Sequence, residues 1–193
     1  TGKTAAFALP LIQRLEDSWT AAREIRVRSL ILSPTRELAI QLHKNIKVFC
    51  AHTKLKTLLV HGGTEYEDQI LTLREGVDIL IATPGRMLDL IDLKKLRLDQ
   101  VEVFVVDEAD RMLDMGFAPD IRKIAPMLPQ TRQALFFSAT MPKEALQLAT
   151  GILHTGTRLP SPFRATLYDR LTAILLPGLT RIQLVNSGAE AVE

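Results

Sequence analysis

The dominant pattern along this chain is a set of short apolar runs without polar alternation, at residues 29–33, 57–61, 77–82, 103–106 and 133–137. A strand that is apolar at every position must be covered on both faces, as in parallel sheets flanked by helices. Helical spacing follows each run, at residues 35–50, 65–74, 86–91, 110–115 with 119–128, and 142–150, and a further helix at 5–15 precedes them all. That first helix carries Phe7, Leu11, Ile12 and Leu15 on one stripe. The alternation predicts an α/β fold, a parallel sheet with helices on both faces and right-handed crossovers. Thr35 stands where a cap for the helix after the first run belongs.

The runs end in chemically useful residues. Val103 to Val106 is followed by Asp107, Glu108 and Asp110, three acids at the carboxyl end of a buried strand, which is where sheets of this class hold ligands. Successive strand residues point to opposite faces, so Asp107 and Glu108 are expected to face apart and to do different work. Other runs end in Pro34-Thr35-Arg36, Gly62-Gly63, Thr83-Pro84-Gly85-Arg86 and Ser138-Ala139-Thr140. Taken singly, each reads as an ordinary turn or cap. Together on one edge they supply hydroxyls, glycine amides and arginines, the groups that grip phosphates. Arg36 opens a helix against the macrodipole, which favours acids there, so an anion is expected to meet it. Thr1-Gly2-Lys3-Thr4, before the first helix, is the closing third of a phosphate-binding loop: glycine admits close amides, lysine reaches terminal phosphates, and threonine can hold Mg²⁺. The start of that loop and the strand carrying it are expected upstream of Thr1.

Composition narrows the picture only a little. With 193 residues, 47% hydrophobic and 24% charged, the chain reads as one soluble domain. Its apolar runs are too short to span a bilayer and no basic-then-apolar leader opens it, so a cytoplasmic address without a membrane partner is expected. Cys50 is the single cysteine, which leaves no internal disulfide. His43, His52, His61 and His154 are not paired at metal-ligand spacing. A net charge of +2 decides nothing about nucleic acid, because clustering matters more than the sum.

In this order the motifs resemble the first RecA-like domain of a DEAD-box RNA helicase, a P-loop NTPase fold, over residues 1–150, with the fold's first strand missing. The resemblance implies ATP and Mg²⁺ as cofactors, with Thr1, Gly2, Lys3 and Thr4 on the nucleotide and Thr4 and Asp107 on the metal ion. It implies catalytic roles for Lys3, Asp107 and Glu108, the last acting on the attacking water. Asp110, Ser138, Ala139 and Thr140 would couple nucleotide state to RNA grip. Pro34, Thr35, Arg36, Gly62, Gly63, Thr83, Pro84, Gly85 and Arg86 would track an RNA backbone without reading its bases. The family also implies a second RecA-like domain that supplies arginine fingers, and without it at most feeble hydrolysis. A module that binds RNA and nucleotide without turnover is the alternative.

Residues 151–193 depart from that pattern. Residues 167–193, with Leu176-Pro177-Gly178-Leu179 and Val185-Asn186-Ser187-Gly188-Ala189, resemble a piece of a class III pyridoxal-phosphate aminotransferase, without a Schiff-base lysine. Two readings stand for this tail: a junction between unrelated pieces near residues 150–160, or a strand at residues 181–185 lying in the place of the strand expected before Thr1.

Overall fold

The computed structural model describes residues 2–20, 26–140, 142–153 and 182–183. The remaining tail, and with it the aminotransferase-like stretch apart from Ile182 and Gln183, lies outside the described residues. The elements run α1 (Gly2–Asp17), β1 (Ser29–Leu32), α2 (Arg36–Phe49), β2 (Thr57–Val60), α3 (Tyr66–Glu75), β3 (Ile79–Ala82), α4 (Pro84–Asp92) and β4 (Val103–Val106). They continue as α5 (Ala109–Asp114), α6 (Ala118–Ile124) with a 3-10 turn at Ala125–Met127, β5 (Gln133–Phe137), α7 (Lys143–Leu153) and β6 (Ile182–Gln183).

The sheet order is β2-β3-β1-β4-β5-β6, with every pair from β2 to β5 parallel. Each apolar run is therefore a strand of the expected α/β fold. Register is level: Leu32 stands beside both Ala82 and Val106, Val60 beside Ala82, and Val106 beside Phe136. Level register brings all five carboxyl ends to one edge, where the next residues are free to bind. The two described tail residues run antiparallel on the outer edge of β5, Ile182 opposite Phe137 and Gln183 opposite Phe136. They fall inside the strand expected at 181–185.

Pleating divides the core by parity. Ile31, Ile79, Ile81, Val103, Val105, Leu135 and Phe137 face α1 and α2 in one buried cluster. Leu30, Leu32, Leu80, Ala82, Phe104, Val106, Ala134 and Phe136 face the other helices in a second. Both faces are thus apolar, which is why the runs show no alternation. Phe7 of α1 stacks obliquely on Phe137 with ring centroids 5.2 Å apart, setting the depth at which α1 lies across β4 and β5. α7 runs to Leu153, past the boundary expected at 150, because Ile152 is buried in the core and its carbonyl accepts a hydrogen bond from Arg132 Nη2 at 2.9 Å.

Phe7 and Phe137 are fully buried and in contact, so each alanine substitution is expected to cost about 3–5 kcal/mol in urea unfolding. The double variant is expected to fall short of the sum by about 1 kcal/mol, the coupling of a touching aromatic pair.

Candidate functional site

α1 starts at Gly2, and its first turn holds no acid and one lysine. The positive dipole end of that turn therefore meets no acid of its own helix, and such an end favours an anion. Lys3 Nζ lies 3.0 Å from Asp107 Oδ1 and 3.6 Å from Glu108 Oε1. Thr4, one residue on, is buried. Thr1 lies outside the described residues.

Asp107 continues the parity of Val103 and Val105, so it emerges on the face where α1 lies. Glu108 does not follow the alternation. Its backbone is left-handed, φ 52° and ψ 52°, and this turn brings its carboxylate round to the same lysine. The expectation that the two acids face apart is corrected here: strand geometry ends at Val106, and pleat alternation has no hold beyond it. Arg111 Nη1, one helical turn on, lies 3.7 Å from Glu108 Oε2, a contact that i, i+3 spacing would have suggested.

Burial and charge act unequally on this group. Desolvation pulls the Lys3 ammonium down, but Asp107 and Glu108 outweigh it and hold the lysine above its ordinary value. Desolvation pushes the Asp107 carboxyl up against the pull of Lys3, and the nearby charge of Glu108 adds to the rise. The difference follows depth, since the Asp107 side chain is 12% exposed and that of Lys3 24%. A deeply held carboxylate of this kind gains from any further cation beside it. Among the described residues no three His, Cys, Asp or Glu side chains converge as a metal cage. Asp107 and Thr4 are oxygen donors of the kind that a hard divalent cation would take.

The acids connect onward through β5. Asp110 Oδ2 accepts from Thr140 N at 2.9 Å and from Thr140 Oγ1 at 3.0 Å, and Asp110 Oδ1 accepts from Arg111 N at 3.0 Å. Ser138 Oγ accepts from Asp110 N at 3.1 Å and donates to the Thr140 carbonyl. Burial works to raise the Asp110 pKa, but these donors outweigh it and hold the carboxyl below its ordinary value. Ser138 and Thr140 thus clasp the loop after β4 to the loop after β5, while Ala139 is exposed between them.

The other strand ends form a second group on the same edge. Thr35 caps α2, its hydroxyl accepting from Leu38 N at 3.3 Å, and Pro34 is buried beneath it. Gly63 has φ +84°, and a Cβ placed there would stand 2.6 Å from Arg36 Nη1, so the Arg36 guanidinium lies directly against this glycine. At Gly62 and Gly85 a Cβ would meet nothing within 4 Å. Pro84 occupies the first turn of α4, which also lacks acids, and the Thr83 hydroxyl makes no capping bond. Arg86 donates from Nη1 to the Thr64 carbonyl at 3.0 Å, and its guanidinium carbon lies 3.8 Å from the centre of the Tyr66 ring. Sequence reasoning passed over Thr64 and Tyr66, because no local pattern announces a ring that meets an arginine from another strand end.

A doubly covered parallel sheet that brings an acid-free helix start, a lysine between two strand-end carboxylates and arginines to one edge is an α/β domain of the RecA-like kind. More narrowly, the chain belongs to the DEAD/DEAH box helicase family, whose profile matches residues 1–148. The RNA helicase CrhR of Synechocystis sp. is 48% identical over 154 residues, 80% of this chain and 30% of the relative. ATP-dependent RNA helicase DBP2 of Eremothecium gossypii is 44% identical over 154 residues, 80% of this chain and 28% of the relative. DEAD-box ATP-dependent RNA helicase CshA of Streptococcus pneumoniae is 44% identical over 142 residues, 74% of this chain and 26% of the relative. The chain spans less than a third of the length of these relatives.

Two outcomes follow from this geometry. Gly63→Ala is expected to cost about 1–3 kcal/mol in thermal or urea unfolding through its positive φ, and to move Arg36, whereas Gly62→Ala is expected to be near neutral. Asp110→Asn is expected to lose about 1 kcal/mol at pH 7, discounted for the partial solvation of this carboxylate. The folded carboxyl titrates below its unfolded value, so its contribution is complete above about pH 4 and fades as pH falls further. Urea unfolding at pH 7 and pH 3 is expected to show the gap between parent and variant shrinking at the lower pH.

Proposed function

We propose that this chain is the ATP-binding, RNA-gripping part of an ATP-dependent RNA helicase of the DEAD-box type. The observation that carries the reading is Lys3 Nζ at the start of the acid-free first turn of α1, within ion-pair reach of both Asp107 and Glu108. Lys3 and the amides of Gly2 to Thr4 bind the β- and γ-phosphates of ATP, where helix dipole and ammonium charge act together. Thr4 and Asp107 hold Mg²⁺, which when bound neutralises phosphate charge. Glu108 orients the attacking water and takes its proton on a carboxylate oxygen. Asp110, Ser138 and Thr140 tie the loops after β4 and β5 into one unit, so a shift at the acids is passed along the edge. Pro34, Thr35, Arg36, Gly62, Gly63, Thr83, Gly85 and Arg86 line the side that takes an RNA backbone, with little base preference.

In this reading full turnover needs a second RecA-like domain, whose arginine raises phosphoryl-transfer rates by several orders of magnitude. The aminotransferase resemblance of residues 167–193 has no part in the chemistry, because that stretch holds no lysine to form a Schiff base.

Calorimetric titration with ATP and Mg²⁺, followed by phosphate release with and without single-stranded RNA, tests the proposal. Lys3→Ala is expected to weaken ATP binding about 10- to 100-fold, the worth of a charge-assisted contact. Glu108→Gln is expected to keep binding and lose the slow RNA-stimulated release. Unchanged ATP affinity in Lys3→Ala would overturn the assignment. RNA binding with no release in the parent would favour a module without turnover.

A further inference from the structure

Several arginines of the fold are matched by carboxylates. Arg28 meets Glu102 at 2.5 Å, and Arg97 meets Asp99 at 2.8 Å. Arg86 differs: among the described residues no carboxylate lies within 4.0 Å of its guanidinium, and Thr64 O is the one hydrogen-bond acceptor it reaches. An arginine has five N–H donors in a planar fork, so most of its capacity is left for a partner outside the chain. A long side chain in that position loses rotamer freedom when it binds, unless something holds it beforehand.

Tyr66 is that support. Its ring centre lies 3.8 Å from the Arg86 guanidinium carbon, inside cation–π range, and a ring contact leaves the in-plane donors unspent. The ring itself is fixed at both ends. Its hydroxyl donates to Asp89 Oδ2 at 3.0 Å, one turn along α4 from Arg86, and its body packs against the core cluster that contains Met87 and Leu90. Gly63, in the same loop after β2, takes the guanidinium of Arg36 against its Cα. One short stretch, from Gly63 to the first residue of α3, therefore receives both Arg36 and Arg86, each through a contact that does not neutralise its charge.

We propose that Tyr66 is a positioning residue for the RNA backbone: its ring holds the Arg86 guanidinium ready for an RNA phosphate without competing for its donors. The inference rests on the reading of this edge as an RNA-binding surface. Tyr66 contacts Arg86 and needs no contact with RNA.

The test uses the full chain, a fluorescent single-stranded oligouridine, and the variants Tyr66→Phe, Tyr66→Leu, Arg86→Ala and Tyr66→Leu/Arg86→Ala. Leucine keeps apolar packing and removes the aromatic face, so folding and stacking are read separately, with thermal melts as the folding control. Tyr66→Phe is expected to bind within about twofold of the parent, and Tyr66→Leu about 3- to 10-fold more weakly. The double variant is expected to bind like Arg86→Ala alone, because the tyrosine acts through the arginine. Independently of RNA, the Arg86 Nε–H resonance is expected to carry a ring-current shift in the parent and in Tyr66→Phe that vanishes in Tyr66→Leu. Parent-like RNA binding by Tyr66→Leu, or losses that add fully in the double variant, would overturn the role of Tyr66. If Arg86→Ala itself leaves RNA binding unchanged, the RNA reading of this edge fails, and the role of Tyr66 with it.

Discussion

The level parallel register of β1 to β5 is the constraint on which everything else in the molecule depends. Because Leu32, Val60, Ala82, Val106 and Phe136 lie in one row across the sheet, the residues after them must emerge along one line. A slip of one residue in any pair would move that strand's buried set to the wrong face and stagger its end from its neighbours. The pure apolar runs make such a slip costly on both sides at once, since each strand buries one parity against α1 and α2 and the other against the remaining helices. Core packing and site geometry are here the same fact.

Within that frame the acids are held by a cation from across the sheet. α1 lies on the face to which odd-numbered residues of β4 point, and Phe7 against Phe137 fixes its depth. Lys3 then reaches Asp107 with no adjustment of the strand, while Glu108 joins only by leaving the strand conformation. A non-glycine residue with φ 52° is held there at a cost of order 1–3 kcal/mol, and such residues concentrate where geometry serves a ligand. The pKa values of Lys3 and Asp107 are both raised, and the two rises describe one arrangement: a partly exposed ammonium whose charge is satisfied twice over, and a deeper carboxylate still short of positive charge.

What could be read from the sequence divides along physical lines. The strands were legible because double burial removes polar residues from the pattern, and the cap at Thr35 because it depends on its nearest neighbours alone. The carboxylate cluster was legible as composition, and the motif order pointed to its role. The orientation of Glu108 was not, because alternation is a property of paired strand and the pairing stops at Val106. The meetings of Arg36 with Gly63 and of Arg86 with Tyr66 were not legible either. Each joins residues more than a helix apart, and the sequence shows a glycine and a tyrosine of many possible uses.

The two edges of the sheet differ in how they treat charge, and the difference separates scaffold from site. At the amino edge Glu102 receives Arg28 at 2.5 Å and stands 3.9 Å from Arg14, which also donates to Gln133 Oε1 at 3.0 Å, while Arg28 Nη1 donates to the Leu15 carbonyl at 2.9 Å. These bonds tie the end of α1 to the starts of β1, β4 and β5. They hold the helix by its far end, while its first turn meets Asp107 and Glu108 through Lys3. At the carboxyl edge Arg36 and Arg86 rest against a glycine and an aromatic ring, contacts that position a guanidinium and leave its charge intact. A fold that needed only stability would pair these arginines as it pairs Arg28. Keeping two fixed, uncompensated guanidinium groups beside the acid-free start of α4 makes sense when an anion is to lie along that side of the edge.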